Sequence, residues 1–296
     1  MNVELLSTST VPKLDSPTTF DARSRVRSKS HWTKRLAKGM LRVSNLPWIT
    51  QRRLVRNLEA IGVRRGGCLL VHSSLSAIGF VRGGATTVIS SLLTVLGPEG
   101  TLVMPAHTWN LANCGLREFD VWKTPSCTGS ISEAFRIRPE AVRSLHPTHS
   151  VAAIGRSAAE LVADHEIAKT PCGLGTPYAR LLDAGGQILL LGVSLKRNTC
   201  FHTVESLAGV PYLIKEQPDE FMITGYDGET SHVRVCMHAP AVPSRFTEMR
   251  NLLHDECALT EERVGKATSM LIDGPAFRDA LVPTITKDPT FLLRTC

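Results

Sequence analysis

No stretch of this chain stays apolar over the roughly 18 residues that a membrane span requires. Nor does its N-terminus carry an apolar segment behind a basic start, so neither insertion nor secretion is expected. Eight cysteines are present without a single Cys-x-x-Cys pair, and Cys68 sits in apolar surroundings as a small core residue would. That usage fits a reducing cytosol. Three signatures of common enzymes are also missing. There is no G-x-S-x-G nucleophile elbow and no G-x-x-x-x-G-K-[ST] phosphate loop, and Gly173-Leu174-Gly175 lacks the third glycine of a dinucleotide fingerprint. Serine hydrolases of the usual kind, P-loop nucleotidases and Rossmann dehydrogenases are thereby disfavoured.

Acidic charge is scarce in one place only. Between Phe20 and Arg42, eight Lys and Arg residues face one acid, Asp21, and this segment accounts for the net charge of +7. The rest of the chain is neutral. Residues 1–47 are therefore expected to be a basic, solvated extension. A transit peptide or a nucleic-acid-binding arm is the smaller alternative, and no recognition motif supports the second. Residues 48–296, with 43% hydrophobic residues over the whole chain, suffice for one α/β domain.

The pattern of elements predicts that domain in outline. Trp48 to Ile61 has helical spacing, Cys68 to His72 reads as a strand, and Thr86 to Leu96 as a helix closed by Gly97-Pro98. Thr101 to Met104 is the next strand, which makes a βαβ unit. His107 to Thr128 shows no period and is expected to be a long loop. Further strands are expected at Val151 to Ile154, Gln187 to Val193 and Ala267 to Ile272, with helices at Ser130, Ser157, Tyr178 and Asn198. Val210 to Val235 reads as an antiparallel hairpin turning at Tyr226-Asp227-Gly228. Helices at Phe246 to Cys257 and Pro275 to Leu281 complete a mostly parallel or mixed sheet flanked by helices, with an antiparallel β insertion.

Four segments carry chemistry. The strand ending Val71-His72-Ser73-Ser74, with Gly83-Gly84 opening the next helix, delivers hydroxyls and free backbone N–H groups to one sheet edge, a place suited to anions. Arg143 to Ser150 holds His146 and His149 around a proline, and a lone histidine is more often a structural hydrogen-bonder. In Cys200-Phe201-His202-Thr203-Val204-Glu205, an i, i+3 helical spacing puts Glu205 where it can fix the tautomer of His202, although the same spacing also describes an ordinary surface contact. Gly175-Thr176-Pro177 reads as a helix start with Thr176 as cap, or as a contact for a phosphate. For a metal, His107, Cys114, Cys127, His146 and Cys200 are of the right type, but none has close ligand spacing, so no metal is expected.

Taken in order, these pieces resemble the aminoglycoside 3-N-acetyltransferase family. The matching residues are Leu70 to Leu75 with Ile78-Gly79 and Gly83-Gly84, Leu96 to Pro105, Arg143-Ser144 with His146-Pro147 and Ser150, Gly175-Thr176-Pro177, Leu190-Leu191-Gly192, His202 with Glu205, and Gly265-Lys266-Ala267. The resemblance runs from Gln51 to the C-terminus. It implies an α/β fold distinct from the commoner N-acetyltransferase superfamily and transfer of acetyl from acetyl-CoA to a primary amine, an activity associated with antibiotic resistance. It further implies that His72, Ser73, Ser74, Gly83, Gly84, Thr87, Thr128, Gly129 and Ser150 belong to the CoA site. His202 is then the general base and Glu205 its orienting carboxylate, with His146 as second candidate for the base or as a contact beneath it. Transfer would be direct, within a ternary complex.

The resemblance allows an aminoglycoside or a biosynthetic intermediate as acceptor, and a homodimer. Ala239 to Arg245 carries no acid, whereas a polycationic acceptor needs carboxylates for its recognition, so a less cationic amine is the expected acceptor. A non-catalytic CoA binder, and a hydrolase using Ser73 or Ser74 with His146 or His202, remain as alternatives.

Overall fold

The computed structural model describes residues 48–239 and 243–294. The expected basic extension lies outside them. The elements follow as α1 (Gln51–Ile61), β1 (Cys68–Ser73), α2 (Leu75–Ile78), α3 (Gly84–Leu96), β2 (Thr101–Pro105), α4 (Trp109–Asn113) and β3 (Glu118–Asp120). Next come α5 (Ser130–Arg136), β4 (Val142–Arg143), β5 (Val151–Gly155), α6 (Ala158–Val162), α7 (Pro177–Asp183), β6 (Gln187–Leu191) and α8 (Cys200–Leu207). The chain then forms β7 (Asp219–Thr224), β8 (Thr230–Val235), α9 (Arg250–Asp255), β9 (Leu259–Val264), β10 (Ala267–Asp273) and α10 (Gly274–Lys287).

Seven strands make the main sheet in the order β4-β5-β2-β1-β6-β10-β9. The middle three, β2, β1 and β6, are parallel, and each flank is antiparallel. The sheet is therefore mixed, with its parallel part at the centre where both faces are covered.

Alternation along each strand divides the apolar residues between two cores. Leu69, Val71, Leu102, Met104, Leu189 and Leu191 pack with α1, α3 and α5 on one face. Leu70, Val103, Val151, Ile188, Leu190 and Ile272 pack with α6, α7, α8 and α10 on the other. All five residues of β6 are buried, which explains its continuous apolar reading. Each fully buried Leu or Ile here stabilises the fold by roughly 1.5–3 kcal/mol.

The structure departs from the expected elements where the partner is remote. His107 to Thr128 is not a bare loop, because it contains α4 and β3. The three residues of β3 pair in parallel with β7, Phe119 opposite Ile223, so the hairpin β7–β8 becomes a three-stranded mixed sheet. Helix α1 begins at Gln51 rather than Trp48 because Thr50 caps it, its side chain accepting from the Arg53 N–H, while Ile49 bridges to Val81. Strand β9 was hidden by its composition: Thr260, Glu261, Glu262 and Arg263 belong to an edge strand with only its ends buried.

Candidate active site

The carboxyl end of β1 and the amino ends of two helices meet at one sheet edge. Gly83 (φ 83°) precedes α3 and Gly129 (φ 107°) precedes α5, both in backbone conformations that exclude most side chains. A Cβ added at Gly83 would collide with the Thr87 hydroxyl, and one added at Gly129 would come to 4.0 Å from the Ser73 carbonyl. Gly84 has open space in front of it. The Thr128 hydroxyl donates to the Pro105 carbonyl at 2.5 Å, which fixes the entry to α5.

Among the described residues, two polar atoms at this edge, His72 Nε2 and Ser73 Oγ, have no hydrogen-bond partner. Burial drives the His72 pKa down to about 3, so the ring is neutral. The Ser74 N–H donates to the Leu191 carbonyl and ties β1 to the end of β6. His72, Ser73, Ser74, Gly83, Gly84, Thr87, Thr128 and Gly129 thus converge on one edge.

Ser150 does not join them as a free group. Its hydroxyl donates to the Ala106 carbonyl at 2.7 Å and accepts from Arg143 Nε at 3.0 Å. Arg143 is itself buried. Its guanidinium donates to the carbonyls of Ala106 and Thr124 and lies 4.7 Å over the Phe119 ring, and burial lowers its pKa to about 9. This side chain clamps the Ala106–Thr124 segment onto β4. The same holds for Thr176, which is buried and caps α7.

His202 stands at the third position of α8. Its Nδ1 lies 2.7 Å from Glu205 Oε2, and the Tyr212 hydroxyl donates to Glu205 Oε1 at 2.9 Å. The side chain of His202 is 34% exposed and that of Glu205 3%. With both carboxylate oxygens accepting, Nδ1 carries the proton and the lone pair on Nε2 is free.

Beneath this pair lies a group of histidines, of which His107, His146 and His149 are buried and His238 is partly buried. The His238 ring is 4.6 Å from that of His202 and 4.7 Å from that of His149, and His107 is 4.9 Å from His149. His107 shares a 2.6 Å hydrogen bond with the Tyr178 hydroxyl. His146 is fully buried, and its Nδ1 accepts the backbone N–H groups of Thr148 and His149 at 3.2 and 3.0 Å. Burial holds His146 well below the usual histidine range. It is placed as a support of the loop, not as a group facing solvent. Tyr178 and His238 reach the site from segments remote from α8, so no local pattern points to them. Only the seven-residue step from Glu205 to Tyr212 was local enough to suggest a pairing.

Comparison with known proteins agrees with this architecture. The family model described as aminoglycoside 3-N-acetyltransferase matches residues 70–285. The chain is 37% identical over 262 residues to aminoglycoside N(3)-acetyltransferase IX of Micromonospora chalcea, over 79% of this chain and 92% of the relative. Identity to aminoglycoside N(3)-acetyltransferase VII of Streptomyces paromomycinus is 37% over 193 residues, 57% of this chain and 66% of the relative, just short of two thirds of its length. A solved structure of AAC-IIIb with CoASH superposes with a TM-score of 0.72 at 26% identity, covering 81% of this chain and 97% of that one. The match begins within β1 and ends within α10, enclosing the glycine-rich edge and the His202–Glu205 pair, and on that extent the chain belongs to the aminoglycoside 3-N-acetyltransferase family.

Proposed function

We propose that this protein transfers acetyl from acetyl-CoA to a primary amine of a small molecule, in one ternary complex, with His202 as general base. The observation that carries this reading is the Tyr212–Glu205–His202 chain, which presents an imidazole Nε2 lone pair at a half-exposed position. A protonated amine has no lone pair for attack, so the acceptor reacts as the neutral amine, its ammonium proton having been lost to solvent. Nε2 of His202 takes the amine proton as the nitrogen bonds to the acetyl carbonyl carbon. The thioester C–S bond then breaks, CoA leaves as thiolate, and the imidazolium returns the proton to it. Glu205 is a positioning residue that favours the imidazolium formed on the way.

The proposed CoA path runs along the edge formed by Ser73, Ser74, Gly83, Gly84, Thr87, Thr128 and Gly129. Support comes from the glycine-opened helix N-termini and from the partnerless His72 Nε2 and Ser73 Oγ, which suit the amides of a pantetheine arm. Ser150 and His146 are assigned supporting places only.

The acceptor is proposed to carry fewer charges than an aminoglycoside. Glu205 is the carboxylate bonded to His202, and it is almost wholly buried. A thiol-release assay with acetyl-CoA over a panel of amines tests both parts. Amine-dependent release is expected, with His202→Ala lowering turnover about 10²–10⁴-fold. Unchanged turnover in that variant would remove His202 from the chemistry. Efficient acetylation of an aminoglycoside would overturn the acceptor assignment alone, and CoA binding with no turnover of any amine would favour a non-catalytic binder.

A further inference from the structure

His149 precedes β5, Cys172 lies in the loop before α7, and His238 follows β8. One ligand atom from each lies within 4.8 Å of the others. This group shares no residue with the proposed transfer chemistry. The structure assigns a zinc-class metal site to His149, Cys172 and His238, packed against the His202 ring and independent of the transferase reading.

The donor atoms are prepared for it. His146 Nδ1 accepts two backbone N–H groups, which occupies its single lone pair and leaves only a long 3.3 Å contact to the Thr148 hydroxyl. The Thr148 hydroxyl meets His149 Nδ1 at 2.9 Å, and in the Nδ1–H tautomer its oxygen accepts that proton and leaves the His149 Nε2 lone pair for a metal. A metal-ligating histidine ordinarily donates its other ring N–H to an oxygen acceptor such as a carboxylate, a backbone carbonyl or water, and the Thr148 oxygen can fill that place here. Among the described residues His238 Nε2 is buried with no hydrogen-bond partner, an arrangement costly for a neutral ring and resolved by a metal. Cys172 is fully buried beside them.

Two imidazoles and one thiol form the soft, borderline donor set that suits Zn²⁺, and three protein ligands leave a fourth position for water or another ligand. Around a tetrahedral ion the ligand atoms would draw in to about 3.4–3.6 Å from one another. Binding breaks no covalent bond and releases the Cys172 proton to solvent. It would join three segments that lie far apart in the chain. Sequence spacing could not reveal the site, since 23 and 66 residues separate its members.

Untagged protein, dialysed against Zn²⁺ and desalted, is expected to retain about one metal per chain by elemental mass spectrometry. Loaded with Co²⁺ alone, it should show a thiolate-to-cobalt charge-transfer band in the near ultraviolet. Cys172→Ser should abolish the band and weaken metal retention roughly tenfold or more, while His202→Ala should keep both. His238→Gln serves as a second variant, with far-ultraviolet circular dichroism confirming that each is folded. A folded wild type with no charge-transfer band and no retained zinc would overturn the assignment, as would a band that survives in Cys172→Ser.

Discussion

His202 and His146 lie in one region of the molecule, and their surroundings divide their roles. His202 has a carboxylate at 2.7 Å on one nitrogen and solvent on the other side. His146 has no acid within hydrogen-bond reach among the described residues, is fully buried, and spends its Nδ1 on two backbone N–H groups. Burial alone makes a histidine a neutral polar brace. A buried carboxylate beside a half-exposed ring makes it a base. The distinction is therefore set by what lies one turn away on the helix, and it can be broken by changing that neighbour.

The largest effect expected inside this comparison comes from Glu205. Glu205→Gln keeps the shape but replaces a charged acceptor by an amide, so the imidazolium loses its counter-charge and the ring its fixed tautomer. Turnover should fall about 10²-fold with a smaller change in KM. Tyr212→Phe removes one of the two hydrogen bonds on Glu205 and should cost about tenfold or less. Glu205→Asp separates the action of the carboxylate from general loss of packing: it should recover part of the turnover lost in Glu205→Gln, and no recovery in a folded Glu205→Asp would show that the carboxylate does not act on the base.

Much of the framework was legible in the sequence, and the reasons are local. The apolar runs at β1, β2 and β6 and the stripe on α3 are periodic within single elements, so their places follow from spacing. The His202–Glu205 pair was visible because both residues share one helix. Hidden features share the opposite property. β3 exists only by pairing with β7 about a hundred residues on, and β9 reads as polar because only its ends are buried. The His149, Cys172 and His238 group is assembled from three loops. No window of sequence contains it.

Acid should sharpen the contrast between buried and half-exposed histidines. His72 and His165 have folded pKa values pushed by burial to about 3 and about 4 from the usual 6.5. Burial keeps His165 neutral, against the opposing pull of the Pro171 carbonyl 2.9 Å from Nε2, while the Ser144 hydroxyl lies 2.8 Å from Nδ1. Below pH 6.5 the unfolded chain binds protons that these rings refuse, so stability is present above that pH and falls as pH drops toward 4. At pH 5 each ring would lower stability by about 2 kcal/mol. Tm is expected to be about 10 °C lower at pH 5 than at pH 7. His165→Gln should flatten that slope by roughly one proton, and an unchanged slope would show that the ring titrates freely.

The smallest effect is one of rate at the thiols, and it probes the same boundary between interior and surface. Cys114 and Cys257 are exposed, whereas Cys172 and Cys200 are buried. Burial also raises the Cys68 thiol to about 12, which leaves almost no thiolate at neutral pH. An aromatic disulfide reagent added to native protein, followed by peptide mass spectrometry, should therefore modify Cys114 and Cys257 first. Cys68, Cys172 and Cys200 should react only at the rate of opening or after denaturation. Because Cys172 sits against His149 and His238, its protection also reports on whether water reaches the layer beneath His202. Rapid labelling of Cys172 in the folded protein would place that layer in contact with solvent, and the histidines there would then lose the burial that separates them from His202.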